Sequence, residues 1–225
     1  GLRPGIDLCS RSVLRMGVAL LGARISVTQV LALGWRTALL AVAAVVLTIL
    51  TGLVLARLLG QRRDEGLISG CAVGICGASA ALAVASVLPA TRENSRFTLV
   101  AVMGITVLST SAMLLYPLLA QWLGMSAAQA GIFFGATIHD VAQVVAAGML
   151  LSQAGNTAAA DNAVIVKLLR VLMLLPVVLT IALALRRGRF PLAVSVDEAP
   201  PKAQVPLVPT FLLAFVVLML LNSSG

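Results

Sequence analysis

His139 is the only histidine in the sequence. Asp140 follows it directly, within a stretch from 127 to 151 that is otherwise apolar or small apart from Gln143 and a few neutral polar residues. A carboxylate near the middle of a bilayer costs ~2.5–3.5 kcal/mol even on lenient insertion scales, so a residue such as Asp140 needs a partner, an aqueous cavity or a proton. His139 and Gln143 stand four apart, so on a continuous helix they would share a face. These three residues are candidates for coupling a proton or gating a site. A second group is Gly77, Ala78 and Ser79, within the segment 70–81 (GCAVGICGASAA), where Gly70, Gly74 and Gly77 crowd together. Each glycine weakens a helix by ~1 kcal/mol relative to alanine. The cluster therefore reads either as close packing through small residues or as a broken helix whose free N–H groups and Ser79 hydroxyl could take an anion. Gly135 and Thr137 repeat that chemistry in the segment 135–143 (GATIHDVAQ). Lys167 and Arg170 are three apart on one helix face. They offer two cations to an anion if they face inward, whereas a Lys167 near the helix start could also snorkel to lipid headgroups.

The elements that carry these residues are long apolar runs. Residues 37–55, 97–120, 127–138 and 171–185 hold no charge. A hydrocarbon core of ~30 Å needs about 20 apolar helical residues. The pattern predicts an all-α, polytopic membrane protein with about seven membrane elements, at 13–25, 37–59, 68–88, 97–119, 127–151, 163–185 and 207–221. Pro176 predicts a kink in the sixth. The whole chain, 1–225, reads as a single membrane domain, with 186–206, rich in proline and charge, as a cytoplasmic loop.

Composition excludes the other classes. Only 11% of residues are charged and 60% are hydrophobic, whereas a soluble domain carries about 25% charged residues. The runs do not alternate as barrel strands do. The net charge of +8 comes with only 4% aromatic residues, so there is no stacking platform and no nucleic-acid partner is expected. Cys9, Cys71 and Cys76 lack metal-ligand spacing, and neither metal nor cofactor is expected. If every element crosses, Arg3, Arg11, Arg15, Arg57, Arg62, Arg63, Arg186, Arg187, Arg189 and Lys202 lie on one face, against Arg24, Arg36, Arg92 and Arg96 on the other. The positive-inside rule assigns the richer face to the cytoplasm.

Two internal echoes suggest repeated halves, a mark of secondary transporters. Residues 17–34 resemble 131–148, and Gly77-Ala78-Ser79 resembles Gly135-Ala136-Thr137. With seven crossings the first pair would run parallel, whereas inverted repeats need an odd number of crossings between them. Either one element is re-entrant or this echo is not the inverted repeat.

The strings LRMGVALLG (14–22), ICGASAA (75–81), GATIHDVAQVVAAG (135–148) and VKLLRV (166–171) resemble, in that order and across essentially the whole chain, the YeiH-like family of bacterial inner-membrane proteins, to which sulfate export is ascribed. The resemblance implies a multi-pass protein of the bacterial cell inner membrane. It also implies part of an inverted-repeat transporter fold with broken helices, and further spans at both ends. On that basis the expected function is a secondary transporter exporting a small inorganic anion, most simply sulfate or a related sulfur oxyanion. Gly77, Ala78, Ser79, Gly135, Thr137, Lys167 and Arg170 would bind it. His139, Asp140 and Gln143 would couple a proton or gate the site. Partners are then the anion, protons and the lipid bilayer, and a homo-oligomer is left open. No enzymatic step is expected. Two alternatives stand beside this reading: a cation/proton antiporter using Asp140, and an intramembrane serine protease with Ser79 as nucleophile and His139 as base.

Overall fold

The computed structural model describes residues 35–89, 91–151 and 158–187, together with positions 214, 217, 218, 220 and 221. The chain divides into two compact units, one of residues 1–34 and 204–225 and the other Trp35–Ala203. The second unit carries the elements below. The expected span at 13–25, the loop at 186–206 beyond Arg187, and most of the span at 207–221 lie outside the described residues, as does the 17–34 echo.

Helix α1, Trp35–Leu58, is ~36 Å long at 1.5 Å per residue and leaves Leu39, Leu40, Leu47 and Leu50 exposed. It ends at Gly60, whose φ of +67° closes the turn as only glycine does without strain. Helix α2, Arg63–Gly74, then runs back along α1. Its approach is close because Gly66 and Gly70 of α2 and Gly52 of α1 bring backbone against backbone. A Cβ on Gly66 would lie 2.8 Å from Ala56 Cβ, and one on Gly70 would lie 3.1 Å from Ile49 Cα. Gly74 therefore faces Val45 and Thr48, about halfway along α1. There the helix stops. Ile75 leaves helical geometry, and Gly77 has φ +71°. Helix α3, Ala78–Ala85, turns back toward the end from which α2 came, because Arg62 before α2 bonds Glu93 in the first turn of the next helix.

That helix, α4, Arg92–Trp122, is capped by Thr91, whose Oγ1 accepts from Asn94 N at 3.1 Å. Helix α5, Ala127–Thr137, opens with a reciprocal capping box between Ser126 and Gln129, which satisfies two orphan donors. Residues 138–140 break the helix, and α6, Val141–Leu151, follows. Both arms lie on α7, Ala158–Leu172. A Cβ on Gly131 would lie 2.6 Å from Ala159 O, and one on Gly148 would lie 2.5 Å from Ala160 Cα. Arms on either side of the break thus meet the same turn of α7, so α5 and α6 form a second hairpin. Helix α8, Leu174–Arg186, continues α7 after Met173. In place of the expected kink at Pro176 the structure shows an interruption at Met173, where proline cannot donate to the carbonyl of Leu172.

About seven membrane elements were expected, with the number that cross left open by the repeat parity, and the architecture shows which of the described ones turn back. Among the described residues three helices are long and apolar enough to span a bilayer: 38–58, 92–122 and the α7–α8 pair, 158–185. The expected third and fifth elements are hairpins that enter from opposite ends and stop midway. Arg92 and Arg96 therefore join Arg57, Arg62, Arg63 and Arg187 at one end instead of opposing them.

Candidate functional site

The two hairpin tips meet. A Cβ on Gly77 would lie 3.3 Å from His139 Cβ. Each tip leaves the last carbonyls of a half-helix without intrahelical donors, and two buried cations on α7 supply them. Lys167 Nζ donates to Ile75 O at 2.8 Å and to Ile138 O at 2.9 Å, one carbonyl from each tip. Arg170 donates through Nε and Nη2 to Gly74 O at 2.9 and 2.7 Å, through Nη2 to Val73 O at 2.8 Å, and through Nη1 to Gly135 O at 3.2 Å and Ala136 O. All five guanidinium N–H groups are engaged, and one N–H of Lys167 remains beyond its two carbonyls. Lys167 is 0% and Arg170 5% exposed, so Lys167 does not snorkel. Cations at helix C-termini also sit where the helix dipole favours them.

The opposite sides of the breaks present helix N-termini. At α6, Asp140 Oδ1 accepts from Ala142 N at 2.9 Å and Gln143 N at 3.3 Å, so the carboxylate is itself the cap. Ser109 of α4 accepts from both His139 N and Asp140 N at 3.2 Å. Gln143 Nε2 donates to Thr110 Oγ1 at 2.8 Å. At α3 no side chain of Gly77 is available to cap the helix. Ser79 Oγ lies 2.8 Å from Cys76 Sγ. His139 Nδ1 and Gln143 Oε1 are buried without a hydrogen-bond partner, and Asp140 is exposed. The junction thus holds fixed cations, unpartnered polar atoms and an exposed carboxylate in one place.

Several sequence expectations change here. Gly135 and Thr137 lie at the C-terminus of α5, not at an N-terminus, because the break comes after Ile138. Thr137 Oγ1 donates to Phe133 O at 2.6 Å inside its own helix, and Gly135 serves as contact surface against Ala163 and Val166. His139 is not helical, so sharing a helix face with Gln143 does not describe the pair. In the second echo, Gly77 sits at its tip while Gly135 lies three residues short of the other. Ile75 and Ile138, the two acceptors of Lys167, are the matching residues. Gly77, Ala78, Ser79, His139, Asp140, Lys167 and Arg170 do fall at or beside the junction. Ser109 and Thr110 escaped the sequence reading. Their signal was the cluster Thr106, Ser109, Thr110 and Ser111 in an otherwise apolar span.

Two hairpins meeting tip to tip among long apolar helices define an integral membrane protein with polar chemistry at mid-depth. The sequence matches, over residues 1–225, the family described as Conserved hypothetical protein 698. It is 51% identical over 222 residues to the UPF0324 membrane protein RB0971 of Rhizobium meliloti (98% of this chain, 61% of the relative). It is 50% identical over 224 residues to the UPF0324 membrane protein TauZ of Paracoccus denitrificans (99% and 63%), and 36% identical over 222 residues to a UPF0324 membrane protein of Bacteroides thetaiotaomicron (98% and 63%). The chain belongs to the UPF0324 membrane protein family. It spans about three-fifths of the length of these relatives. No solved structure matches it.

Proposed function

We propose that the chain is the hairpin-bearing part of an inverted-repeat secondary carrier of the bacterial inner membrane, exporting a small inorganic oxyanion with sulfate as the leading candidate. The observation that carries this reading is the junction itself. Two re-entrant tips, entering from opposite ends, touch at Gly77 and His139 beside Lys167 and Arg170. Irregular backbone at membrane depth is tolerated only where protein or water covers it, and orphaned buried polar groups such as His139 Nδ1 and Gln143 Oε1 suit a place that a hydrophilic guest visits. The guest's sign follows from charge. Lys167 and Arg170 are buried, and their nearest acidic group among the described tip residues is Asp140, already committed to capping α6. The uncapped N-terminus of α3 with Ser79 is the natural seat for oxyanion oxygens, and the third N–H of Lys167 is the natural ion partner.

Energetics favour outward movement. Each charge crossing 100 mV is worth ~2.3 kcal/mol, so a dianion leaves a negative interior with ~4.6 kcal/mol in its favour and needs no coupled proton.

The test is efflux of labelled sulfate from proteoliposomes of the complete protein under an inside-negative potential. Asp140→Asn should retain efflux, since asparagine caps a helix about as well as aspartate; Lys167→Met should abolish it. Absence of anion efflux, with sodium-driven proton flux that Asp140→Asn removes, would establish the antiporter instead. Ser79 Oγ is engaged by Cys76; labelling of Ser79 by a fluorophosphonate probe would favour the protease reading instead.

A further inference from the structure

At the arginine-rich end of the bundle, away from the tips, Arg62 joins two elements. Its Nη2 bonds Asp64 Oδ2 of α2 at 2.7 Å, and its Nη1 bonds Glu93 of α4. The two contacts differ in kind. The Asp64 side chain is 1% exposed and the Glu93 side chain 63%. Separating Arg62 from Asp64 would strand a buried carboxylate, which is strongly destabilising. Separating it from Glu93 releases both groups to water, where an exposed pair is worth little. Arg62 therefore travels with the first hairpin, and its bond to α4 is the one that can open.

The surroundings give the hairpin base somewhere to go. Gly60, with φ +67°, precedes it in the turn from α1, and nothing lies within 4 Å of the position of its Cβ. A cleft of about 510 Å3 runs beside α2, lined by residues that include Leu55, Gln61, Glu65, Ser69 and Phe97. Helix α2 itself is held to α1 by close packing at Gly52, Gly66 and Gly70, so the part free to shift is the end of the hairpin beyond that seam, at Arg62. Three polar atoms at this base, Arg62 Nε, Asp64 Oδ1 and Asn94 Oδ1, are buried without a partner.

We propose that the Arg62–Glu93 pair is a releasable latch that holds the base of the first hairpin against α4 and controls access from the arginine-rich end to the hairpin tip. The proposal rests on the carrier reading, as the regulation of its site. Its test does not need transport. Cys76 is a free thiol at the tip and is 6% exposed, so it reports opening. In inside-out vesicles containing the complete protein with Cys76 as its only cysteine, a charged methanethiosulfonate reagent is added and the rate of labelling measured. Glu93→Gln should raise the rate about threefold, the population shift expected for loss of a partly exposed pair. Glu93→Lys should raise it further, Glu93→Asp should stay near the wild-type rate, and raised salt should speed wild type toward Glu93→Gln. Because Glu93 is exposed, these variants keep the fold. Equal rates in all four proteins, including no labelling in any, overturn the latch. Unchanged labelling with intact sulfate efflux removes the latch alone, and altered labelling without efflux removes the anion reading alone.

Discussion

Lys167 shows how one side chain can hold a junction that no helix spans. Its ammonium is fully buried and bridges the last carbonyls of two half-helices that come from opposite ends. Removing it orphans both carbonyls, at ~1–3 kcal/mol each. Lys167→Ala should therefore lower the thermal stability of the detergent-solubilised protein by about 2–6 kcal/mol, read as a lower apparent Tm. Thr106→Ala, which deletes only an exposed bond to Val102 O within α4, should leave Tm unchanged. A Lys167→Ala protein as stable as wild type would mean that the tips are held by something else. The sequence displayed Lys167 and Arg170 as a cationic pair on one face, and that was legible. Their partners were not, because a carbonyl acceptor leaves no mark in sequence: every residue has one.

At the scale of elements, small residues set the geometry. Gly131, Gly135 and Gly148 let both arms of the second hairpin lie against the backbone of α7, as small-residue seams do between membrane helices. A Cβ on Gly148 would lie 2.5 Å from Ala160 Cα, so even alanine must push backbone aside, at about 1–3 kcal/mol. Gly148→Ala and Gly135→Ala should both reduce the yield of folded protein on size-exclusion chromatography. Gly104→Ala, where nothing lies within 4 Å, should not. Equal yields would place the seam elsewhere. The broken helices were legible from glycine crowding at 70–77 and from His139-Asp140 in an apolar run. Their return path was not. A half-helix that crosses and one that folds back have the same composition, and only the Arg62–Glu93 bond and the shared turn of α7 distinguish them. For the same reason the second break was misplaced by three residues: Gly135 resembles Gly77 in type, but it serves packing while Ile138 takes the tip.

For the molecule as a whole, the hairpins change which residues share a face. Arg63, Arg92 and Arg187 lie at one end and Trp122 at the other, with the tips between them. Single cysteines at Arg96 and Arg187 in otherwise cysteine-free complete protein should both react with an impermeant maleimide from the cytoplasmic side, and a cysteine at Trp122 only from outside. Opposite sidedness for positions 96 and 187 would restore a crossing third element. The apolar runs made the membrane class plain from sequence. Which elements cross was not legible, because the length of an apolar run does not say whether the chain turns round at mid-depth.

The most direct measurement is anomalous diffraction from crystals of the complete protein soaked in selenate, a heavier analogue of sulfate. The account expects a selenium peak at the junction, within hydrogen-bonding distance of the Ser79 backbone N–H and facing Lys167, and its loss in Lys167→Met crystals. A peak bound only at the surface arginines, or none at the tips while selenate is still transported, would contradict it.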